Sequence, residues 1–208
     1  MKFASWNINS INIRLEHLVK WIKENEIDVI CLQEIKSTKE NFPLNKLKSE
    51  NLNIEFVGQK SYNGVAIISN KPIKFRRDDL PSNKNDNPQA RYLEVEIEDT
   101  IFSSIYLPNG NPINSDKLLY KIDWMKNLIF HSKNLLKEEK KIILAGDYNV
   151  IPKDIDCWDP KFWENDALAL LEIRKLYREL CHSGFYDAFR VINKNKIEWT
   201  FWDYQGGA

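Results

Sequence analysis

The chain has 208 residues, and its 30 basic and 30 acidic side chains give a formal net charge of zero. Apolar residues make up 43% and aromatic residues 12%, a composition that excludes an intrinsically disordered chain. The length fits a single domain over residues 1–208 with a sizeable buried core. Zero net charge counts against an extended basic surface for nucleic acid, although it leaves room for a local basic patch.

No segment has the features of a targeting or membrane signal. The stretch before Asn7 is too short for the apolar part of a signal peptide, and no apolar run approaches the length that spans a bilayer. The three cysteines lack CxxC spacing, which is typical of reduced thiols in a cytosolic protein. We therefore expect a soluble, cytoplasmic protein with no membrane partner.

Short apolar runs alternate with turn signals and predict an α/β fold. The predicted strands are residues 2–6, 28–32, 54–57, 65–69, 92–97, 101–106, 142–146 and 198–204. Apolar residues at helical spacing predict helices over residues 15–22, 118–136 behind a Ser115 cap, and 168–180 ahead of Gly184. Asn63-Gly64 and Glu98-Asp99-Thr100 predict tight turns. This order favours two packed sheets with helices outside.

Glu34 lies just past the predicted strand 28–32, where a carboxylate points into the crevice between strands. Magnesium prefers hard oxygen ligands and keeps several waters, so one or two carboxylates suffice to hold it. The position therefore indicates a metal ligand, although a solvated loop glutamate is the alternative.

Asp147 and Asn149 are two residues apart at the end of a strongly apolar strand, so they face the same side in an extended chain. A carboxylate and an amide on one face can hold a water, with the carboxylate accepting its proton. Gly146 allows close backbone approach at this point. Gly-Asp-Tyr-Asn is also good turn chemistry, so a plain turn remains the alternative.

Asn7 and Asn9 share a face directly after the first strand, and Tyr106 ends another. Buried asparagines cost free energy unless they are hydrogen-bonded, so these two either cap loops or hold a polar group. Tyr106 either places a phenol beside the same crevice or is a core tyrosine with a satisfied hydroxyl.

The segment 198–204 is dense in aromatic residues, which suit stacking on an unpaired sugar or base or the core of an ordinary strand. None of the three histidines, His17, His131 and His182, flanks a motif. We expect all three to be surface or structural residues.

Several motifs occur in a specific order: Trp6-Asn7-Ile8-Asn9, Leu32-Gln33-Glu34, Tyr62-Asn63-Gly64-Val65-Ala66, Tyr106-Leu107-Pro108-Asn109-Gly110, Gly146-Asp147-Tyr148-Asn149, Asp154-Ile155-Asp156, Phe185-Tyr186-Asp187-Ala188-Phe189-Arg190 and Thr200-Phe201-Trp202-Asp203-Tyr204. Together they resemble the exodeoxyribonuclease III family of apurinic/apyrimidinic (AP) endonucleases, within the wider endonuclease/exonuclease/phosphatase superfamily. The resemblance implies a four-layer α/β sandwich of two mixed sheets flanked by helices. It also implies Mg²⁺ (or Mn²⁺), 3′-to-5′ exonuclease activity and cleavage 5′ to abasic sites. The implied partner is double-stranded DNA with abasic sites or 3′ ends, bound by a monomer.

The resemblance also assigns roles by position. Glu34 is implied as the metal ligand, with Asn9 near the metal and Asn7 holding the catalytic constellation. Tyr106 is implied to contact the scissile phosphate. Asp147 would position or deprotonate the attacking water, and Asn149 would hold the phosphate.

The residues implied to face DNA are fewer. Arg91 matches an arginine that approaches the DNA, and Trp202 matches an aromatic residue beside the abasic pocket. Because the net charge is zero, the DNA-binding surface must be built locally, and the candidates for it are Lys36, Lys60, Arg76, Arg77 and Arg91.

The family pattern continues with an Arg-Ile-Asp strand and a closing Ser-Asp-His, and neither occurs in these 208 residues. We therefore expect the second sheet to be incomplete because the C-terminus is missing, and the chain to have little activity. Loss of one preorganised charge-stabilising group costs about 10²–10³ in turnover. Two alternatives stay open: a non-catalytic DNA-binding relative, and a phosphodiesterase of the superfamily that acts on lipid or inositol phosphate.

Overall fold

A computed structural model describes residues 1–81 and 89–201 of the chain. The strands are β1 (Phe3–Asn7), β2 (Val29–Gln33), β3 (Asn53–Val57), β4 (Val65–Ser69), β5 (Lys74–Arg77), β6 (Tyr92–Ile97), β7 (Thr100–Tyr106) and β8 (Lys141–Asp147). The α-helices are α1 (Ile11–Glu24), α2 (Leu44–Ser49), α3 (Asp116–Leu135), α4 (Leu171–His182) and α5 (Ala188–Ile192). The chain divides into two compact units: Met1–Leu107 with Glu138–Tyr148, and Pro108–Lys137 with the residues from Asn149 onward.

The first unit contains two four-stranded mixed sheets. The first sheet has the order β1-β2-β4-β3, with β1 and β2 parallel and the other neighbours antiparallel. The second has the order β5-β6-β7-β8, in which only β7 and β8 run parallel. The predicted α/β fold with two packed mixed sheets is thereby confirmed.

The core of the first unit follows from the alternation of side chains along the strands. Val29, Cys31, Val65 and Ile67 of the first sheet pack against the second sheet, on which Leu93, Val95, Ile97 and Phe102 are buried. The intervening residues of β2 and β4 face the other way and pack with α1 and α2. Both faces of β2 are therefore covered, which explains its continuous apolar sequence.

The second unit is built on α3 and α4. The Ser115 side chain accepts a hydrogen bond from the Lys117 backbone N–H, so the predicted cap of α3 is confirmed. Gly184 follows α4 with a φ of +124°, which confirms the predicted stop because side-chain-bearing residues rarely adopt that backbone conformation.

The predicted elements differ from the structure in a few places. Seven of the predicted strands form within one residue of the expected bounds, but β5, α2 and α5 were not predicted. The predicted strand over 198–204 is wrong for residues 198–201, which have no regular structure, and residues 202–204 lie outside the described part. Instead of pairing in a sheet, Trp199 packs edge-on against Trp158 at 5.4 Å. Within the described residues, no helix has both the length and the apolar character needed to cross a bilayer.

Candidate active site

Four of the predicted site residues lie together in the first unit because four strands end at the same edge: Asn7, Glu34, Tyr106 and Asp147. Asn7 is the last residue of β1, and Glu34 directly follows β2, its parallel neighbour. In the second sheet, Tyr106 and Asp147 end the parallel strands β7 and β8 and are register partners. The carboxyl ends of these strands thus place two carboxylates, an amide and a phenol in one group.

Asn7 joins the two carboxylates of this group. Its side-chain Nδ2 donates to Glu34 Oε1 at 2.9 Å and to Asp147 Oδ2 at 2.8 Å. Because β1 belongs to one sheet and β8 to the other, this amide links the sheets at the site. Hydrogen bonds to charged acceptors are the strong class, so both carboxylates are held in fixed orientations.

Tyr106 adds a second bridge between the sheets. Its hydroxyl donates to Glu34 Oε1 at 2.8 Å. Burial raises the pKa of Tyr106 well above its usual range, and the negative charges of Glu34 and Asp147 raise it further. The phenol is therefore neutral, and it keeps a proton to donate.

The loop that carries Glu34 is held by its backbone. Glu34 has a φ of +50°, and its carbonyl accepts from the Ser10 N–H at 2.8 Å. The following Ile35 N–H donates to the Gly64 carbonyl at 3.1 Å. Gly64 has a φ of +86°, and a Cβ there would lie 2.4 Å from Ile35 Cγ1. The tight turn predicted at Asn63-Gly64 is not observed, because residues 58–64 form a longer loop between β3 and β4. It is the missing side chain of Gly64 that lets the Glu34 loop close against the sheet.

Lys36 lies against the other oxygen of Glu34. Its ammonium is 2.8 Å from Glu34 Oε2 and donates to Asn9 Oδ1 at 2.6 Å. Burial acts to raise the pKa of Glu34, but the hydrogen bonds from Asn7, Lys36 and Tyr106 outweigh it and hold that pKa below its ordinary value. Glu34 is therefore a carboxylate at neutral pH.

The donor atoms of the site fit a hard cation. Glu34 Oε2 and Asn9 Oδ1 already converge on one positive group, the Lys36 ammonium, and both are oxygens of the type that Mg²⁺ prefers. Among the described residues, no group of three or more His, Cys, Asp and Glu side chains could hold a metal.

Asp147 depends on the glycine before it. A Cβ at Gly146 would lie 2.1 Å from the Ile105 carbonyl oxygen, which no side-chain-bearing residue tolerates. The predicted close approach at Gly146 is therefore confirmed. The Asp147 carbonyl then accepts from the Leu107 N–H at 2.9 Å, which extends the parallel pairing past the ends of both strands.

Arg91 lies beside Tyr106. Its guanidinium carbon is 4.8 Å from the centroid of the Tyr106 ring, and its NH1 donates to the Tyr106 carbonyl at 3.3 Å. A cation over an aromatic face is attracted by the ring, which fixes this side chain next to the phenol. By contrast, the guanidinium of Arg76 pairs with Glu94, Glu96 and Glu138, which indicates a structural role.

Two other predicted site residues stay predictions. Asn149 belongs to the second unit, where its backbone has a φ of +46° and its carbonyl accepts from Lys121 Nζ at 2.6 Å. Trp202 lies outside the described residues. Of the histidines, His17 lies on α1, whereas His131 and His182 lie on α3 and α4 of the second unit.

Sequence reasoning missed a buried polar bridge next to Glu34. Gln33 Nε2 donates to Ser104 Oγ at 3.1 Å, and Ser104 Oγ donates to the Leu32 carbonyl at 2.9 Å. All three residues are almost fully buried, so the two sheets are also tied together one residue before the site. A glutamine at the end of an otherwise apolar strand was the signal that could have revealed it.

Two carboxylates, an amide and a phenol at the strand ends of a two-sheet α/β sandwich form the kind of polar cluster that serves as the active site of a hydrolase. Residues 4–208 match the Endonuclease/Exonuclease/phosphatase family, and the chain belongs to that family. The resemblance to the exodeoxyribonuclease III type of AP endonuclease is confirmed by the relatives below.

Three relatives illustrate the similarity. Exodeoxyribonuclease III from Haemophilus influenzae is 30% identical over 220 residues, which cover 99% of this chain and 81% of the relative. An AP endonuclease from Archaeoglobus fulgidus has a TM-score of 0.93 and 31% identity, with 100% of this chain and 80% of that one covered. A Neisseria 3′ phosphatase, solved with a product DNA hairpin, has a TM-score of 0.90 and 30% identity over 100% and 80% of the two chains.

Proposed function

We propose that the protein is a Mg²⁺-dependent DNA-repair phosphodiesterase with 3′-to-5′ exonuclease activity and AP endonuclease activity, cleaving 5′ to abasic sites in base excision repair. The observation that carries the proposal is the pair of carboxylates, Glu34 and Asp147, that share the Asn7 amide beside a neutral Tyr106. The names of its relatives, exodeoxyribonuclease III and AP endonuclease, support the choice of DNA.

The proposed chemistry assigns one task to each side chain. Asp147 orients the attacking water and takes its proton, and the Asn7 N–H keeps the carboxylate turned for that task. Tyr106 donates a hydrogen bond to a non-bridging oxygen of the scissile phosphate, since its raised pKa keeps the phenol protonated. As the water oxygen bonds to phosphorus, the P–O3′ bond breaks and the departing 3′ oxygen takes a proton from solvent. Asn149 holds the phosphate through its amide.

Glu34, with Asn9 beside it, would hold the Mg²⁺ (or Mn²⁺) ion. When bound, such an ion neutralises the charge that develops on the phosphate. Glu34 suits this task because its pKa is lowered and it stays ionised. Lys36 balances that charge in the structure, and we propose that it turns toward DNA phosphate when the ion occupies the carboxylate.

The proposed partner is double-stranded DNA with an abasic site or a 3′ end. Arg91 and Lys36 supply positive charge near Tyr106 and Glu34, and Trp202 is proposed to stack beside the abasic pocket. Because these contacts are to phosphates, affinity is expected to fall steeply as salt rises. A cytoplasmic monomer remains the expectation for location and assembly.

The test is a duplex with one synthetic abasic site, incubated with the 208-residue chain in excess, with Mg²⁺ or with a chelator. We expect metal-dependent nicking 5′ to the lesion, abolished in Glu34→Gln and Asp147→Asn. Glu179→Gln, which removes an exposed carboxylate paired with Lys133, is the matched control and should nick like the parent chain.

Binding of the duplex without any nicking would contradict the proposal and favour a non-catalytic DNA-binding relative. Equal nicking by Glu34→Gln and the parent chain would contradict the role of Glu34.

A further inference from the structure

Lys121 is a fully buried lysine whose charge is satisfied by backbone carbonyls. It lies on α3, has no exposed surface, and donates to the carbonyls of Asn109 at 2.9 Å and Ala167 at 3.3 Å. It also donates to the Asn149 carbonyl at 2.6 Å. An ammonium carries three protons, and a buried charge is tolerated only when such partners are supplied.

The three carbonyls belong to three separate loops of the second unit, and other contacts tie those loops to one another. Asn111 Nδ2 donates to Asp166 Oδ2 at 2.9 Å, and the Ala167 N–H donates to Asn111 Oδ1 at 3.0 Å. The Ile151 N–H donates to the Leu168 carbonyl at 2.8 Å. The ammonium of Lys121 is therefore the common centre of a junction that includes the backbone of Asn149.

Gly110 leaves room for the aliphatic part of the Lys121 side chain. Gly110 has a φ of +89°, and a Cβ there would lie 2.6 Å from Lys121 Cδ. A larger residue at position 110 would push the stem away from its carbonyls. The chain thus combines a buried lysine with a glycine that leaves room for it.

Asn149 has a backbone conformation that needs support. Its φ of +46° lies in the left-handed region, which is unfavourable for residues with a Cβ, although asparagine tolerates it better than most. A hydrogen bond to its carbonyl fixes the plane of the following peptide. Because the side chain leaves from the same Cα, fixing the backbone also fixes the direction of the Cα–Cβ bond from which the amide side chain starts.

We propose that Lys121 is a positioning residue for Asn149: it acts through the Asn149 carbonyl and sets the orientation of the amide that holds the phosphate. The inference rests on the proposed function for the task of Asn149, but the orienting contact itself lies within one unit and can be measured without DNA.

The first test uses NMR of the free protein. The side-chain NH₂ resonances of Asn149 are assigned by their loss in Asn149→Ala and are then compared in Lys121→Met, which keeps the length and removes the charge. We expect them to shift in Lys121→Met and to stay in place in Lys133→Met, an exposed lysine of the same helix. Unchanged Asn149 resonances in Lys121→Met would overturn the inference, whatever the fate of the proposed function.

The second test is a double-mutant cycle on the Kd for an abasic duplex in chelator, where no cleavage occurs. We expect Asn149→Ala to weaken binding about tenfold to a hundredfold, the loss of one hydrogen bond to a charged group. Lys121→Met should weaken it by a similar factor, and the double variant should be no weaker than Asn149→Ala alone.

Each other outcome has a distinct meaning. The inference would be overturned if the binding losses of the two single variants added fully in the double variant. It would also be overturned if Lys121→Met bound with normal affinity while Asn149→Ala bound weakly. Either result would leave Lys121 a structural residue. Normal affinity in Asn149→Ala would instead refute the proposed phosphate contact of Asn149, and the NMR comparison then decides the orienting role. If Lys121→Met does not fold, Lys121→Arg carries both tests, since its planar fork cannot reach three divergent carbonyls in the same way.

Discussion

Replacing Asn7 with aspartate tests the shared amide at the centre of the site. The wild-type Nδ2 donates to Glu34 and Asp147 at 2.9 and 2.8 Å. Asn7→Asp keeps the shape of the side chain but exchanges the shared donor for a third carboxylate. Asn7→Ala removes the donor without adding charge, so the two variants separate loss of hydrogen bonds from gain of repulsion.

The size of the effect follows from the charges. Two unit charges about 4 Å apart repel by about 4 kcal/mol at an effective dielectric constant of 20, and the introduced carboxylate would face both Glu34 and Asp147. The cluster relieves this repulsion by taking up a proton, so its carboxyl pKa values rise. We expect the nicking rate at neutral pH to fall at least as much as for loss of one charge-stabilising donor, about 10²–10³-fold.

The pH dependence should have opposite signs in the two variants. Once protonated, the introduced carboxyl group again donates a hydrogen bond, so the ratio of the Asn7→Asp rate to the wild-type rate should rise as pH falls. In Asn7→Ala, Glu34 loses one of the donors that lower its pKa, so this variant should lose activity at a higher pH than wild type as pH falls.

The assay is single-turnover nicking of an abasic duplex between mildly acidic and alkaline pH, with Asn25→Asp as an exposed asparagine control. Wild-type rates in Asn7→Asp at neutral pH, or parallel pH profiles for the two variants, would refute the reasoning.

Three further predictions concern Glu34 and its partners. Because the pKa of Glu34 is lowered in the folded state, Glu34 stabilises the fold at pH values above its ordinary pKa and loses that contribution as pH falls through the folded pKa. In urea unfolding, the difference in free energy of unfolding between wild type and Glu34→Gln should therefore shrink toward acid pH. A difference that grows there would contradict the prediction. The raised pKa of Tyr106 predicts that its phenolate absorbance appears only at pH well above 10. Up to that pH, the phenolate absorbance of Tyr106→Phe should therefore equal that of wild type. Lys36→Met removes the ammonium shared by Glu34 and Asn9, so Mn²⁺ followed by EPR should bind more tightly than in wild type or in the exposed control Lys60→Met; equal or weaker binding would show that Lys36 does not compete for the site.

The strands that could be predicted from the sequence are those with continuous apolar runs. Both ends of β4 and β6 were predicted correctly, because each run is buried on most of its length and bounded by turn residues. β5 was missed because Lys74-Phe75-Arg76-Arg77 is mostly charged, as an edge strand with a register shift can be. The strand predicted at 198–201 does not form, because the aromatic residues there pack on other aromatic rings rather than on a neighbouring strand.

The individual residues of the site could be predicted from the sequence, but the hydrogen bonds that join them could not. Asn7, Glu34, Tyr106 and Asp147 were each recognisable as polar residues at strand ends. Their hydrogen bonds depend on pairings up to 140 residues apart, which local patterns do not contain. The Lys36 contact requires positive φ values at both Glu34 and Lys36, and nothing in the spacing of the residues predicts them. Lys121 was missed because one lysine in an amphipathic helix reads as part of its polar face.

The role of Glu34 as the metal ligand is tested most directly by anomalous diffraction from crystals soaked in Mn²⁺, for wild type and for Glu34→Gln. We expect a manganese peak bound to the Glu34 carboxylate in wild type and no peak at that position in the variant. A manganese peak remote from Glu34, or one that persists unchanged in Glu34→Gln, would contradict it.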